Sequence, residues 1–162
     1  MFIIGEKVVY PVHGAGIIEA IEKREILGQE RNYYVLRLCT GDLKVLVPVD
    51  MVGNAGMRPI CDQEQLEKVR DILHNSASAW EENWNRRYRM NMDKIKSGDI
   101  CQLAEVVRNL SLRDAVKGLS AGEKKMLDNA RKILISELVL AAGQSPDQVN
   151  QELDEILHTG KA

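Results

Sequence analysis

The sequence of 162 residues contains no run of about 18 apolar residues, so it predicts no transmembrane helix. Its N-terminal segment reaches a charged residue already at Glu6, which is too early for a secretory signal peptide, and we expect a cytoplasmic protein. The only cysteines, Cys39, Cys61 and Cys101, are far apart and form no CxxC pair, which disfavours a disulfide framework or a zinc site. The three histidines are equally scattered, so we expect no metal and no cofactor.

Enzyme motifs are also missing. The segment Gly14-Ala15-Gly16 does not continue as GxGxxG, and neither a phosphate-binding GxxxxGK[ST] loop nor a GxSxG nucleophile motif occurs. Acidic residues are plentiful but dispersed, as expected of solvated helices, and no nucleophile–base pair stands out. We therefore expect a protein that is not an enzyme. An unrecognised enzyme, for example a nuclease, would require a cluster of carboxylates or histidines that only the fold assembles.

The first third of the chain favours a β structure. Four short segments rich in branched and aromatic residues are separated by turn residues, with glycines providing a bend at residues 14–16 and turns near Gly28 and Gly41. Such spacing predicts a small barrel or a strongly bent sheet over residues 1–58. An open strand edge in such a domain could dock a partner protein, or the domain's own loops could cover it.

From Asp62 onward the pattern is helical, and the sequence predicts five helices over residues 59–162. Asp62 and Ser120 are expected N-caps, and Gly143 is expected to end the fourth helix. Apolar residues recur at helical spacing, with Leu66, Val69, Leu73, Ile100, Leu103, Val106, Val107, Leu110, Leu127, Ala130, Ile133, Leu134, Leu138, Val149, Leu153, Ile156 and Leu157 on the inward faces. The expected fold is α+β with two domains, a small Tudor/SH3-like β-barrel followed by a compact five-helix bundle.

The second helix, predicted over residues 79–96, contains an unusual concentration of aromatic and cationic side chains. Trp80, Trp84 and Tyr88 are spaced four residues apart and should share one helix face. Residues 84–96 contain five basic side chains and one acidic one, although the whole chain has a net charge of −2. One interpretation is a DNA-contacting surface, in which arginines meet phosphates and a ring wedges at a base step. The alternative is that Trp84 is a core residue beside a solvated face.

With both halves considered, the chain resembles the CarD/CdnL family of bacterial transcription regulators. The likeness extends from Gly5 to about Leu157 and includes several segments in one order. These segments are Val8-Val9-Tyr10-Pro11-Val12-His13-Gly14-Ala15-Gly16, Tyr33-Tyr34-Val35-Leu36, Gly41-Asp42-Leu43-Lys44-Val45-Leu46-Val47-Pro48, Asn83-Trp84-Asn85-Arg86-Arg87-Tyr88-Arg89, Ser97-Gly98-Asp99, Ala104-Glu105-Val106-Val107-Arg108-Asn109-Leu110 and Gly118-Leu119-Ser120-Ala121-Gly122-Glu123-Lys124.

The resemblance implies a function for each half. The β domain would be similar to the polymerase-interacting domain of transcription-repair coupling factor and would dock on the lobe of the RNA polymerase β subunit. The helical domain would contact promoter DNA at the upstream edge of the transcription bubble, largely without sequence preference. Trp84 would enter the minor groove there, with Arg86, Arg87 and Arg89 on the phosphates. The implied outcome is a stabilised open promoter complex, with the protein acting as a monomer.

The polymerase-facing strand departs from the family pattern at one position. Leu46 stands where the family often has an arginine, whereas Arg24 matches a position implied in polymerase contact. The resemblance therefore assigns docking to Arg24, Lys44 and Leu46. Either Lys44 or Arg37 replaces the missing arginine, or the docking contact is more apolar here. A rival interpretation is an adaptor that docks on polymerase and recruits another protein without touching DNA, and it predicts no salt-sensitive DNA contribution.

Overall fold

The computed structural model describes residues 2–11, 13–39, 43–51 and 56–158. Within these ranges five strands come first: β1 (Lys7–Tyr10), β2 (Gly14–Ile26), β3 (Gln29–Leu38), β4 (Lys44–Pro48) and β5 (Arg58–Pro59), with a short 3₁₀ turn at Val49–Met51. Five helices follow in the described part of the chain: α1 (Gln63–His74), α2 (Trp84–Lys96), α3 (Ile100–Lys117), α4 (Ala121–Ala142) and α5 (Pro146–His158). The predicted α+β class is thus confirmed.

The strands form one antiparallel sheet in the order β4-β3-β2-β1-β5. The long β2 pairs with β1 through its first residues and with β3 along nearly its whole length, with a register shift between Ile18 and Ala20 that bends it. Leu27 and Gly28 close the β2–β3 hairpin with positive φ at both residues, the geometry of a two-residue turn that follows strand twist.

The glycine segment that opens β2 corrects one prediction. Residues 14–16 were expected to form a bend, but they are paired strand residues, and the chain turns before them, where His13 N donates to Tyr10 O at 3.0 Å. Glycine is needed there for close approach, because a Cβ at Gly16 would lie 2.3 Å from the Arg37 carbonyl oxygen.

Two separate groups of buried apolar side chains form the core. The smaller group lies under the inner face of the sheet and includes Val8, Ile18, Tyr34, Leu36 and Val47. The larger group lies among the helices, and of the inward residues predicted there all are buried except Leu127 and Ile133, which are partly buried and pack against it. Asp62 and Ser120 cap their helices through side-chain oxygens, and the residue after α4 has the expected left-handed conformation, as predicted.

Buried polar contacts fasten the sheet to α4. Ser136 Oγ accepts a hydrogen bond from Ala15 N at 2.8 Å, beside Gly14, where a Cβ would lie only 2.9 Å from the same oxygen. Arg58 in β5 forms a bidentate pair with the buried Glu137, at 2.8 Å to each carboxylate oxygen. Glu137 also accepts from Cys61 N at 2.8 Å, so one carboxylate holds the end of the sheet against the bundle.

Candidate nucleic-acid interface

The helix that carries the aromatic and cationic segment begins later than predicted. It was expected from residue 79, but α2 starts at Trp84, because Asn83 is extended (φ −75°, ψ 115°) and its side chain accepts from Arg86 N at 2.9 Å. An Asn cap satisfies an otherwise unpaired helix N–H, and this favours starting the helix there. Trp80 precedes the helix, so the expected three-ring face is wrong and only Trp84 and Tyr88 share it.

Trp84 is not sealed in the core. It is 42% exposed, and its ring stacks on Tyr88 with centroids 5.0 Å apart and planes at 19°. Its indole Nε1 donates to Ser120 Oγ at 3.1 Å, which ties the ring to the N-terminus of α4. The indole is therefore a surface group held in one orientation, with little side-chain entropy left to lose on contact with a ligand.

Arg87 lies in different surroundings from the other two arginines. Its side chain is only 12% exposed, and Nε and Nη2 donate to the Glu123 carboxylate at 2.8 and 3.0 Å. Nη1 donates to Glu81 O at 2.8 Å, and the guanidinium lies 4.4 Å from the Trp80 ring centroid. Because these donors are engaged inside the protein, Arg87 is poorly placed for the phosphate contact that the resemblance implied. It holds the 76–83 segment against α4.

The Arg87–Glu123 contact also affects ionisation. The hydrogen bond from Arg87 lowers the pKa of the Glu123 carboxyl, with further lowering from the charge of Arg87 and the Ser120 and Trp84 hydrogen bonds, against the opposing effect of burial. A buried carboxylate paired in this way is stable only with its partner present. The pair therefore fixes the start of α2 beside the start of α4.

Arg86 and Arg89 remain available at the surface. The side chain of Arg86 is 69% exposed and has only a long contact of 3.9 Å to Glu81. Arg89 is exposed and makes no hydrogen bond or ion pair with any residue that the structure describes. Two exposed guanidinium groups, of which only Arg86 has a described acidic neighbour, lie on the helix that carries the exposed indole and can bind phosphate oxygens.

The sheet places the three residues assigned to polymerase docking on one of its faces. Cross-strand pairing places Lys44 opposite Arg37, Leu46 opposite Val35 and Arg24 opposite Arg31, and these partners alternate with the inward Tyr34 and Leu36. Paired residues point to the same side, so all three lie on the outer sheet face. Sequence alone assigned these residues individually, and the register now shows that they share a surface.

Three cations of this outer face, Arg24, Arg37 and Lys44, are already paired with acidic neighbours. Arg24 contacts Glu22 at 2.8 Å, and Lys44 and Arg37 both contact Glu19 at 3.1 Å. The hydrogen bond from Lys44 lowers the pKa of Glu19, as do the charges of Arg37 and Lys44. Leu46 is partly exposed on β4, an edge strand that pairs with β3 alone in the part of the chain described. The face thus combines exposed ion pairs with an apolar residue on an open edge.

Two basic residues of α4, Lys125 and Lys132, were not among the predicted site residues. Gly122 lies beside the Trp84 ring, since a Cβ built on it would be 3.6 Å from indole Cζ2. Lys125 and Lys132 follow Gly122 on the same face of the helix, three and ten residues later. Helical spacing could have grouped these residues, but only the contact between Gly122 and Trp84 shows that this face of α4 adjoins α2.

No group of three or more His, Cys, Asp or Glu side chains is positioned to hold a metal ion among the residues described above. None of the helices in those same ranges has the length and apolar content that crossing a membrane demands.

The fold and this surface define a class: a small antiparallel sheet joined to a helical bundle, with an oriented indole and free arginines on the bundle. Residues 2–61 match the family model of the CarD-like/TRCF RID domain, and residues 68–154 match that of the CarD C-terminal domain. The chain belongs to the CarD family of transcription factors, as its resemblance predicted. The RID domain is Tudor-like, which confirms that expectation for the β part.

A curated bacterial protein supports the same assignment. The chain is 44% identical over 149 residues to the Bacillus subtilis (strain 168) protein named "Putative transcription factor YdeB". That alignment covers 92% of this chain and 97% of the relative, so the similarity spans both halves.

Proposed function

We propose that this protein docks on the RNA polymerase β subunit through the outer face of its sheet and stabilises the open promoter complex. In this proposal residues 1–58 form the polymerase-interacting domain, and residues 59–162 contact promoter DNA. Trp84 wedges into the minor groove at the upstream edge of the bubble, while Arg86 and Arg89 bind the flanking phosphates. The protein acts as a cytoplasmic monomer without an enzymatic step.

The observation that carries the proposal is the oriented, exposed indole. Tyr88 supports the Trp84 ring by stacking, and Ser120 holds its nitrogen. A preorganised flat apolar surface can stack at a distorted base step, and free guanidinium groups can bind the backbone on either side. Such contacts require little sequence preference, because unstacking and phosphate binding supply the specificity for bent or melted DNA.

Stabilisation of the open complex follows from differential affinity. A wedge at the duplex–bubble junction has its full contact only with melted DNA, so it shifts the equilibrium toward that state. The net charge of −2 gives the chain little general attraction for DNA. Docking through the sheet compensates, because a tethered wedge acts at a high effective concentration beside the promoter.

The wedge is tested by Trp84→Ala. We expect the variant to fold and bind polymerase like the wild type, because a partly exposed surface ring contributes little to the core, but to lose most of the gain in open-complex lifetime. The measurement is the half-life of the open complex with purified polymerase, with and without the protein. Val116→Ala is the control, since Val116 is an exposed apolar residue on a different helix, α3. An unfolded Trp84→Ala protein, or one with the full gain, contradicts the wedge.

Docking is tested by Arg24→Glu, measured as affinity for the isolated β lobe. We expect a loss of about tenfold, because a positive side chain on the docking face becomes negative and repels a complementary surface. Lys23→Glu is the control, because Lys23 is the adjacent β2 residue and points to the opposite face. Equal affinities for wild type and Arg24→Glu would remove Arg24 from the docking surface.

The adaptor without DNA contact is tested by the salt dependence of the open-complex half-life. If the protein lengthens the half-life by a factor that does not change with salt concentration, the adaptor is favoured.

A further inference from the structure

A cavity of about 440 Å³ opens beside the wedge helix, where the β1–β2 connection meets α2 and α4. This volume is within the range of pockets that bind small molecules. Its apolar lining comes from Tyr88, Met92 and Ile95 of α2 and Met126 and Ile133 of α4. Its polar lining comes from His13, Lys125, Asn129 and Lys132.

The charge of this cavity is one-sided. No acidic residue lines it, and Lys125 and Lys132 are exposed without a hydrogen bond or ion pair to any described residue. By contrast, Lys94 of the neighbouring helix is paired with Glu105 at 3.1 Å. Two unpaired ammonium groups at the mouth of an apolar cavity favour a ligand that combines a flat apolar body with negative charge.

The cavity adjoins the proposed wedge through two of its lining residues. Tyr88 lines it and also stacks on Trp84 at 5.0 Å. Gly122 lines it as well, and a Cβ built on Gly122 would lie 3.6 Å from the edge of the indole. If Trp84 ends the base stack of the DNA, the next, unstacked nucleotide would therefore lie beside this cavity.

We propose that this cavity holds one unpaired nucleotide of the promoter strand whose base stack ends at Trp84, an inference that rests on the proposed function. The base packs among Tyr88, Met92 and Met126, and its phosphate lies between Lys125 and Lys132. The Asn129 amide, which can donate and accept, contacts the edge of the base. Aromatic and apolar surfaces with cations on the rim are the features by which proteins bind single-stranded nucleotides.

The test places single abasic sites, one at a time, at the first unpaired positions of each strand at the upstream edge of the bubble. For each promoter the readout is the gain in open-complex half-life, the ratio with and without the full-length protein, which removes effects of the abasic site on polymerase itself. We expect an abasic site at one position to reduce the gain about fivefold or more, as loss of one stacked base predicts.

The protein side of the test is the double variant Lys125→Ala/Lys132→Ala. We expect it to show a smaller gain on the intact promoter and little further loss at the sensitive abasic position, because base and phosphate are held as a unit. Asn129→Ala should show a smaller gain on the intact promoter but keep its sensitivity to the abasic site, because the stacking and phosphate contacts remain. The control is Lys117→Ala, at the end of α3, which should match the wild type.

The outcomes separate the two proposals. If Trp84→Ala retains the full gain, the proposed function fails. If Trp84→Ala loses the gain while the abasic scan is flat, the wedge stands and the cavity proposal is overturned. A lysine double variant that behaves like Lys117→Ala overturns it as well. Competition by free deoxynucleoside monophosphates together with a flat scan also overturns it, because the cavity would then bind free nucleotides and not the promoter strand.

Discussion

The contact between Arg58 and Glu137 gives a sharp test of how the sheet is joined to the bundle. The Glu137 side chain is 1% exposed, and both of its oxygens are paired with Arg58. Arg58 Nε also donates to Gly98 O, in the turn between α2 and α3. Replacing Arg58 with Met leaves a buried carboxylate whose remaining partner is Cys61 N.

The size of the effect follows from burial. Removing one partner of a buried ion pair costs roughly 3–5 kcal/mol, and the partial exposure of Arg58 puts this case at about 3 kcal/mol. Replacing both partners, in Arg58→Met/Glu137→Met, removes the stranded charge. The remaining cost is then about 1–2 kcal/mol, mainly for the Cys61 N–H and the Gly98 carbonyl left without partners.

The measurement is urea unfolding of wild type, both single variants and the double variant, followed by tryptophan fluorescence and far-ultraviolet circular dichroism. Cys61 provides a local probe, because burial first and the Glu137 charge second raise the pKa of its thiol to about 12. Alkylation of Cys61 should accelerate in Arg58→Met as β5 loosens. A loss below about 1 kcal/mol for Arg58→Met, or a double variant less stable than either single one, would refute this reasoning.

Two further predictions concern stability. The pKa of Glu123 is lowered from 4.5 in the folded protein, so its contribution to stability is complete above pH 4.5 and is lost as the pH falls through the lower folded pKa. Urea unfolding between pH 6 and pH 2 should therefore show a steeper loss of stability in the wild type than in Glu123→Gln. Equal slopes for the two proteins would refute the pairing with Arg87. Leu27, at the hairpin tip, is 99% exposed and has φ of 54°, a left-handed conformation that favours glycine. Leu27→Gly should therefore raise the free energy of unfolding by about 1 kcal/mol. A decrease would show that the Leu27 side chain packs against the protein in solution.

Local signals in the sequence were sufficient for most of the fold. Capping residues and apolar periodicity predicted α1, α3, α4 and α5, because both signals act within a few residues. The start of α2 was predicted too early, because Trp80 lies four residues before Trp84 and so extends the helical spacing of Trp84 and Tyr88. The N-cap at Asn83 shows that the helix begins only after Trp80. Trp80 instead lies between the guanidinium groups of Arg87 and Arg113, at 4.4 and 4.5 Å from its centroid.

The candidate site was harder to predict from the sequence, because residues far away in the chain determine which of its side chains are buried and which are exposed. Arg86, Arg87 and Arg89 look equivalent in the sequence. Arg87 differs only because Glu123, 36 residues later, is buried beside it. The cavity lined by Lys125 and Lys132 has the same origin, since it exists only where α4 meets α2 and the β1–β2 connection.

The same helix, α4, connects the proposed wedge to the sheet. At its start, Ser120 Oγ accepts from both Trp84 Nε1 and Glu123 N, so one hydroxyl caps α4 and orients the indole. Fourteen residues after Glu123, Glu137 holds Arg58 of β5. Because an α-helix rises 1.5 Å per residue, these two anchor points are separated by about 21 Å of continuous helix. Because α4 is fixed at both of these points, a sheet docked on polymerase would determine where the indole meets the DNA. Loosening either contact would lower the effective concentration of the indole at the promoter without altering its own contacts with DNA.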